Sequence, residues 1–181
     1  MNDATLRTRY AHRFSTQDTD GDGLLELRDV TGRAEKLLAG LGESPDSPRG
    51  TAVLRGARAY WDRLAEMAGV DEHGKITEQE FVDTLVRARE TGVLDELVRP
   101  SVEAHVALVD SDGDGAVSLE EFKRSQAAVG MSDESATTAF HALDRDGDEH
   151  VPVDEWQKAV VDFYTVAEVD GPGSLIMGMR A

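Results

Sequence analysis

Three short stretches set most of what this chain can fold into: Asp18-Thr19-Asp20-Gly21-Asp22-Gly23, Asp110-Ser111-Asp112-Gly113-Asp114-Gly115 and Asp144-Arg145-Asp146-Gly147-Asp148-Glu149. Each carries a carboxylate at every second position. A single Asp/Gly stretch reads as a solvated turn, because both residues favour turns. Three copies with matching apolar flanks read differently. Carboxylates packed this densely repel one another unless a cation sits among them, and a hard divalent ion such as Ca²⁺ takes about 6–8 oxygens.

The spacing is that of the EF-hand loop, Asp-x-[Asp/Asn]-x-[Asp/Asn]-Gly followed six residues later by Glu. Positions 1, 3 and 5 supply side-chain oxygens, position 6 turns with φ > 0, and position 7 offers its backbone carbonyl. Position 12 closes the shell with a bidentate carboxylate. Loop 110–121 fits throughout. Asp110, Asp112 and Asp114 fill positions 1, 3 and 5, Ala116 gives the carbonyl, Ser118 stands at position 9 and Glu121 at position 12. Loop 18–29 has Asp18, Asp20, Asp22 and the carbonyl of Leu24, with Glu26 at position 9, but closes with Asp29. Asp is one methylene shorter than Glu, which favours a smaller, six-coordinate shell and Mg²⁺ competition at this site. Loop 144–155 has Asp144, Asp146, Asp148, the carbonyl of His150 and Glu155. Its position 6 is Glu149, where a left-handed backbone costs on the order of 1–2 kcal/mol without Gly, and its position 9 is Pro152, which offers no side-chain oxygen. This site is expected to bind more weakly than the third.

EF-hands work in pairs, and aligning the apolar position 8 finds the missing member at 69–80. There Gly69 stands where the first carboxylate belongs and His73 occupies position 5, leaving Asp71, Thr77 and Glu80. It is expected to be a structural partner without metal; a zinc role for His73 lacks a second ligand at suitable spacing. Position 8 is apolar in all four units (Leu25, Ile76, Val117, Val151), as is position 13 (Val30, Phe81, Phe122, Trp156). The incoming helices carry Tyr10 and Phe14, Trp61 and Leu64, Val102 and Val106, and Phe140 and Leu143 at helical spacing, so both tryptophans read as core. The prediction is an all-α fold: four EF-hands in two pairs, with short antiparallel β contacts between paired loops. The divisions expected are 1–91 for the N-terminal pair, 92–164 for the C-terminal pair and 165–181 for a tail. Two prolines and two glycines in Gly42–Gly50 mark a connector, Pro100 should start or kink the helix before the third loop, and Ser132 should cap the seventh helix. The apolar Leu175, Ile176, Met177 and Met179 should pack back on the body.

Charge and composition narrow the function. With 19 Lys and Arg against 36 Asp and Glu, the formal charge of −17 disfavours nucleic acid and anionic membrane surfaces. The absence of cysteine excludes disulfides and zinc–thiolate sites. Met1-Asn2-Asp3-Ala4 does not open a secretory signal and no apolar run reaches the ~20 residues of a membrane span, so a cytoplasmic monomer without membrane insertion is expected. No G-x-S-x-G, P-loop or H-E-x-x-H motif supports an enzyme.

The four-unit layout resembles calerythrin and the sarcoplasmic calcium-binding proteins over almost the whole chain. The most specific marks are Asp29 closing the first loop, the depleted second loop, and two well-formed loops in the C-terminal half. The resemblance implies one compact body, metal at the first, third and fourth sites, three Ca²⁺ ions in all, and a calcium buffer or transporter. The alternative is a calcium sensor acting on a protein target. Sensors offer Met-rich grooves, whereas Met1, Met67, Met131, Met177 and Met179 form no cluster on one helix face. EF-hand photoproteins share the silent second site but need a cavity rich in Trp, Tyr and His. With two Trp and three Tyr, this chain looks unlike them.

Overall fold

The computed structural model describes residues 2–71, 73–166 and 171–179. The helix–loop–helix rhythm read from the loops is present. Helix α1 (Asn2–Gln17) and α2 (Leu27–Leu41) flank the first loop, and α3 (Pro48–Ala68) and α4 (Glu78–Glu90) flank the second. Helices α5 (Leu94–Val109) and α6 (Leu119–Ala128) flank the third, and α7 (Asp133–Leu143) and α8 (Val153–Thr165) the fourth. A short α9 (Pro172–Ile176) follows. No helix among the described residues is long and apolar enough to cross a membrane.

Caps punctuate the chain as the sequence implies. Gly42 ends α2 with φ 70°, and Ser47 opens α3 by accepting a hydrogen bond from the Gly50 amide at 2.8 Å. Ser132 does the same for α7. Pro100 does not start its helix: α5 begins six residues before it, at Leu94, and runs through it to Val109. Helix α5 packs along α3 over this stretch. At the contact Gly56 lies so close that an added Cβ would sit 3.2 Å from the Pro100 carbonyl oxygen.

Paired loops meet through two-stranded antiparallel contacts. Strand β1 (Leu24–Leu25) pairs with β2 (Ile76–Thr77), and β3 (Ala116–Ser118) with β4 (His150–Pro152). The register sets Leu25 opposite Ile76 and Val117 opposite Val151, and all four are fully buried. The position-13 residues are buried too, with Phe122 against Trp156 at 5.0 Å between ring centroids and Phe14 edge-on to Phe81 at 5.8 Å.

The two halves share one core: α3 packs on α5, α2 on α6, and α1 on α8. Polar contacts tie α1 to the C-terminal segment. Tyr10 donates to the Tyr164 carbonyl at 2.5 Å, Arg13 Nε donates to the Tyr164 hydroxyl at 2.8 Å, and His12 Nε2 lies 2.8 Å from the Met177 carbonyl. The apolar tail docks where it is described. Helix α9 packs on α7 and α8 and Ile176 is buried, while residues 167–170, 180 and 181 lie outside the described residues.

At the meeting of the halves lies a partly open cavity of about 120 Å³. Its walls bring together Arg13, Arg33, Tyr60, His105, Trp156 and Tyr164. The low count of aromatic residues gave no reason to expect this, because one or two come from each of five helices spread along the chain.

Candidate metal centres

Each acidic loop begins where a helix ends. In the third, α5 stops at Val109 and Asp110 turns back into its own loop. Its carboxylate accepts from the Gly113 amide at 2.7 Å and the Gly115 amide at 3.2 Å. Asp112 and Asp114 accept from amides two residues on, at 3.2 and 2.9 Å. These local bonds coil the backbone and fix the acids on one side. Gly113 and Gly115 adopt φ 77° and 88°, the left-handed values that the coil demands and glycine tolerates.

Glu121 closes this loop from the first turn of α6. Its Oε1 accepts from Ser111 N at 2.9 Å and Ser111 Oγ at 2.6 Å, and its Oε2 from Ser118 N at 3.0 Å and Ser118 Oγ at 2.9 Å. Burial alone would raise its pKa, but these bonds from Ser111 and Ser118 outweigh it and hold the carboxyl at about 2. Carboxylate oxygens of Asp110, Asp112 and Glu121 come within 4.8 Å of one another. The donors are hard oxygens converging on one point, which fits a hard cation such as Ca²⁺.

The first loop repeats the coil. Asp18 accepts from Gly21 N at 2.8 Å and Gly23 N at 2.9 Å, and Asp18, Asp20 and Asp22 converge within 4.8 Å. Asp29 is buried and held much as Glu121 is: Oδ1 accepts from Thr19 N at 3.2 Å and Thr19 Oγ1 at 2.9 Å, and Oδ2 from Glu26 N at 3.0 Å. It does not join the convergent group. Two cations lie among the acids instead. Arg28 Nη2 is 2.7 Å from Asp20 and 2.7 Å from Glu26, and Lys75, reaching from the second loop, is 3.1 Å from Glu26 and 3.9 Å from Asp22.

In the fourth loop Asp144, Asp146 and Asp148 converge within 4.8 Å. Asp144 accepts from Gly147 N at 2.8 Å and Glu149 N at 3.0 Å. Burial would raise its pKa, but those amides outweigh it and lower the carboxyl below its ordinary value. Glu149 adopts φ 63°, the one positive value at a non-glycine among the described residues. Glu155 is exposed on the first turn of α8 and stands outside the group. His150 is pushed up by its contact with the Asp148 carbonyl, 2.9 Å from Nδ1, with Asp148, Asp114 and Glu149 adding negative field. Leu24, Ala116 and His150, the position-7 residues, each donate their amide to the position-5 aspartate at 2.9 Å.

The second loop is built differently. Gly69 is the left-handed cap of α3 (φ 77°), with its amide on Glu66 and the next amide on the Ala65 carbonyl at 3.0 Å. That is a helix-ending Schellman motif. Gly74 at position 6 lacks the positive φ that Gly23, Gly115 and Glu149 share. No convergent acidic group forms here among the described residues.

Sequence reasoning missed the hydroxyls that hold the closing carboxylates, Thr19 and Ser111, and the cations of the first loop. A hydroxyl at position 2 and a base at position 11 were signals in plain sight.

The comparisons agree with this geometry. The EF hand family profile matches residues 107–124, around the third loop. Calerythrin of Saccharopolyspora erythraea is 28% identical over 167 residues, covering 91% of this chain and 94% of that protein. A Streptomyces coelicolor calcium-binding protein, whose structure is described as a basis for prokaryotic calcium-mediated regulation, superposes with a TM-score of 0.75 at 37% identity, over 89% of this chain and 98% of that one. The coelenterazine-binding protein of Renilla muelleri shares the fold (TM-score 0.72) at 22% identity, over 99% of this chain and 98% of that one.

Proposed function

Because this chain belongs to the calerythrin-like family of four-EF-hand calcium-binding proteins, we propose that it holds three Ca²⁺ ions and serves as a cytoplasmic calcium buffer. Asp18, Asp20, Asp22, Asp29 and the Leu24 carbonyl hold the first. Asp110, Asp112, Asp114, Glu121 and the Ala116 carbonyl hold the second, and Asp144, Asp146, Asp148, Glu155 and the His150 carbonyl hold the third. When bound, the ions supply six positive charges, moving −17 to about −11 and relieving repulsion within the acidic chain. The short Asp29 leaves the first site open to Mg²⁺.

The observation that carries the buffer reading is where the apolar surface lies. The large apolar faces of the eight loop-flanking helices are consumed in one shared core. Val166 is the one exposed large hydrophobic among the described residues. A sensor must open a groove for its target; here that means breaking the contacts of α3 with α5 and α2 with α6. The regulatory reading is favoured by the Streptomyces coelicolor relative, whose description names calcium-mediated regulation. Binding of a hydrophobic dye before and after calcium loading separates the two. The buffer reading expects no increase, and a large increase establishes the sensor.

A further inference from the structure

The central cavity has a chemistry that neither the core nor the metal loops need. Two guanidiniums, Arg13 and Arg33, stand in its wall, and no Asp or Glu is among the described residues lining it. Neither arginine makes an ion pair among the described residues. Arg13 is bonded to the Tyr164 hydroxyl, at 3.0 Å through Nε and Nη2 to the Gln17 side-chain oxygen and, at 3.4 Å, to Thr16 Oγ1, while Arg33 spends one donor on the Thr16 carbonyl at 3.0 Å. A guanidinium has five donors, so most of Arg33's are left for the cavity side. Burial, and then the charge of Arg13, lower Arg33 to about 10, which still leaves it charged at neutral pH. Trp156, 1% exposed, also lines the cavity, and its indole N–H has no acceptor among the described residues. His105 stacks edge-on against that indole at 5.7 Å. Burial, then Arg33 and Arg13, lower its pKa to about 4, so the ring is neutral and adds no competing charge.

Two half-buried cations with no anionic partner, beside a fully buried donor with no acceptor, are unusual in a finished core. They suit a ligand that brings acceptors. The remaining wall is mostly apolar, including Ala34, Ala57, Val98 and Val102, with Gln17, Ser101, Gln126 and the two tyrosines adding neutral polar groups. A volume of about 120 Å³ holds roughly one aromatic ring. We propose that the cavity binds a small organic acid of one ring's size, its carboxylate facing Arg13, Arg33 and the Trp156 N–H and its apolar body against the aliphatic wall. The site is separate from the metal loops and does not rest on the buffer reading.

The test uses the full chain, calcium-free and calcium-loaded, titrated with phenylacetate and with its neutral isostere phenylacetamide, followed by calorimetry and by tryptophan fluorescence in a Trp61→Phe background. Phenylacetate should bind one to one, quench or shift Trp156 emission, and bind at least ~10-fold tighter than the amide. Arg33→Met should erase that preference. Ala57→Leu, which fills the cavity, should abolish binding while leaving a cooperative melt, so the result stands even if the arginine variant folds poorly. Equal binding of acid and amide overturns the proposal. So does binding that survives Ala57→Leu, or the absence of binding by phenylacetate, benzoate and isovalerate at about 10 mM.

Discussion

The loops at 18–29 and 110–121 begin alike and end differently. Both start with three alternating aspartates, both coil through two left-handed glycines, and both hold their closing carboxylate with a hydroxyl and an amide from position 2. Glu121 reaches the group formed by Asp110 and Asp112; Asp29, gripped in the same way, stays out of it. The hydrogen bonds anchor each carboxylate from behind, so one methylene decides whether its oxygens arrive among the others. Among the described residues, the first loop is the one whose acids are ion-paired with cations, Arg28 from its own chain turn and Lys75 from its silent partner. The difference teaches that an EF-hand pair tunes a site from two directions, through the length of the closing side chain and through the charge its partner loop contributes.

The comparison breaks hardest at Glu121. Glu121→Gln removes the charge that four hydrogen bonds hold in place and should lower calcium affinity of the third loop on the order of 100-fold, about 2–3 kcal/mol. Calorimetric titration should lose its tightest phase; an unchanged tightest phase would assign that phase elsewhere. The converse is Asp29→Glu, which extends the carboxylate toward Asp18 and should raise calcium affinity of the first loop about 10-fold and sharpen its preference over Mg²⁺. Equal or weaker binding by this variant would defeat the argument from side-chain length.

Lys75→Gln isolates the partner's contribution. Lys75 is 47% exposed, so its effect is screened, and removing it should tighten the first loop only about 2–5-fold, less at high salt. The third loop, which no such cation enters, should not respond. Smallest is Glu149→Gly in the fourth loop, which relieves a left-handed backbone but frees the unfolded chain, and should stabilise the ion-free protein by about 0.3 kcal/mol, read as a slight rise in melting temperature.

Much of this was legible before any coordinates, for stated physical reasons. Apolar positions 8 and 13 repeated four times mark four units, and pairing each with its neighbour in sequence sets Leu25 against Ile76 and Val117 against Val151, as the structure has them. Glu149 at position 6 announced a strained turn, and the turn is there. Gly69 announced a missing ligand, but not that α3 would end there in a Schellman motif. The spacing also says nothing of whether Glu155 swings toward its three aspartates, because the position is right and only the side-chain direction differs. That α5 would begin well before Pro100 was not legible, because the contact of α5 with α3 is not written in α5 alone. The cavity was invisible for the same reason. Arg13, Arg33 and His105 lie on three separate helices, and only the packing of the two halves brings them to one wall.

The central claim is that three coiled loops take ions and the loop capped by Gly69 takes none. Crystals grown in saturating Ca²⁺, with ions located by anomalous scattering and counted independently by metal analysis of the dissolved protein, address it directly. The account predicts three ions per chain, one each within 18–29, 110–121 and 144–155. An ion coordinated by protein oxygens inside 69–80, or a third loop left empty at saturation, would contradict it.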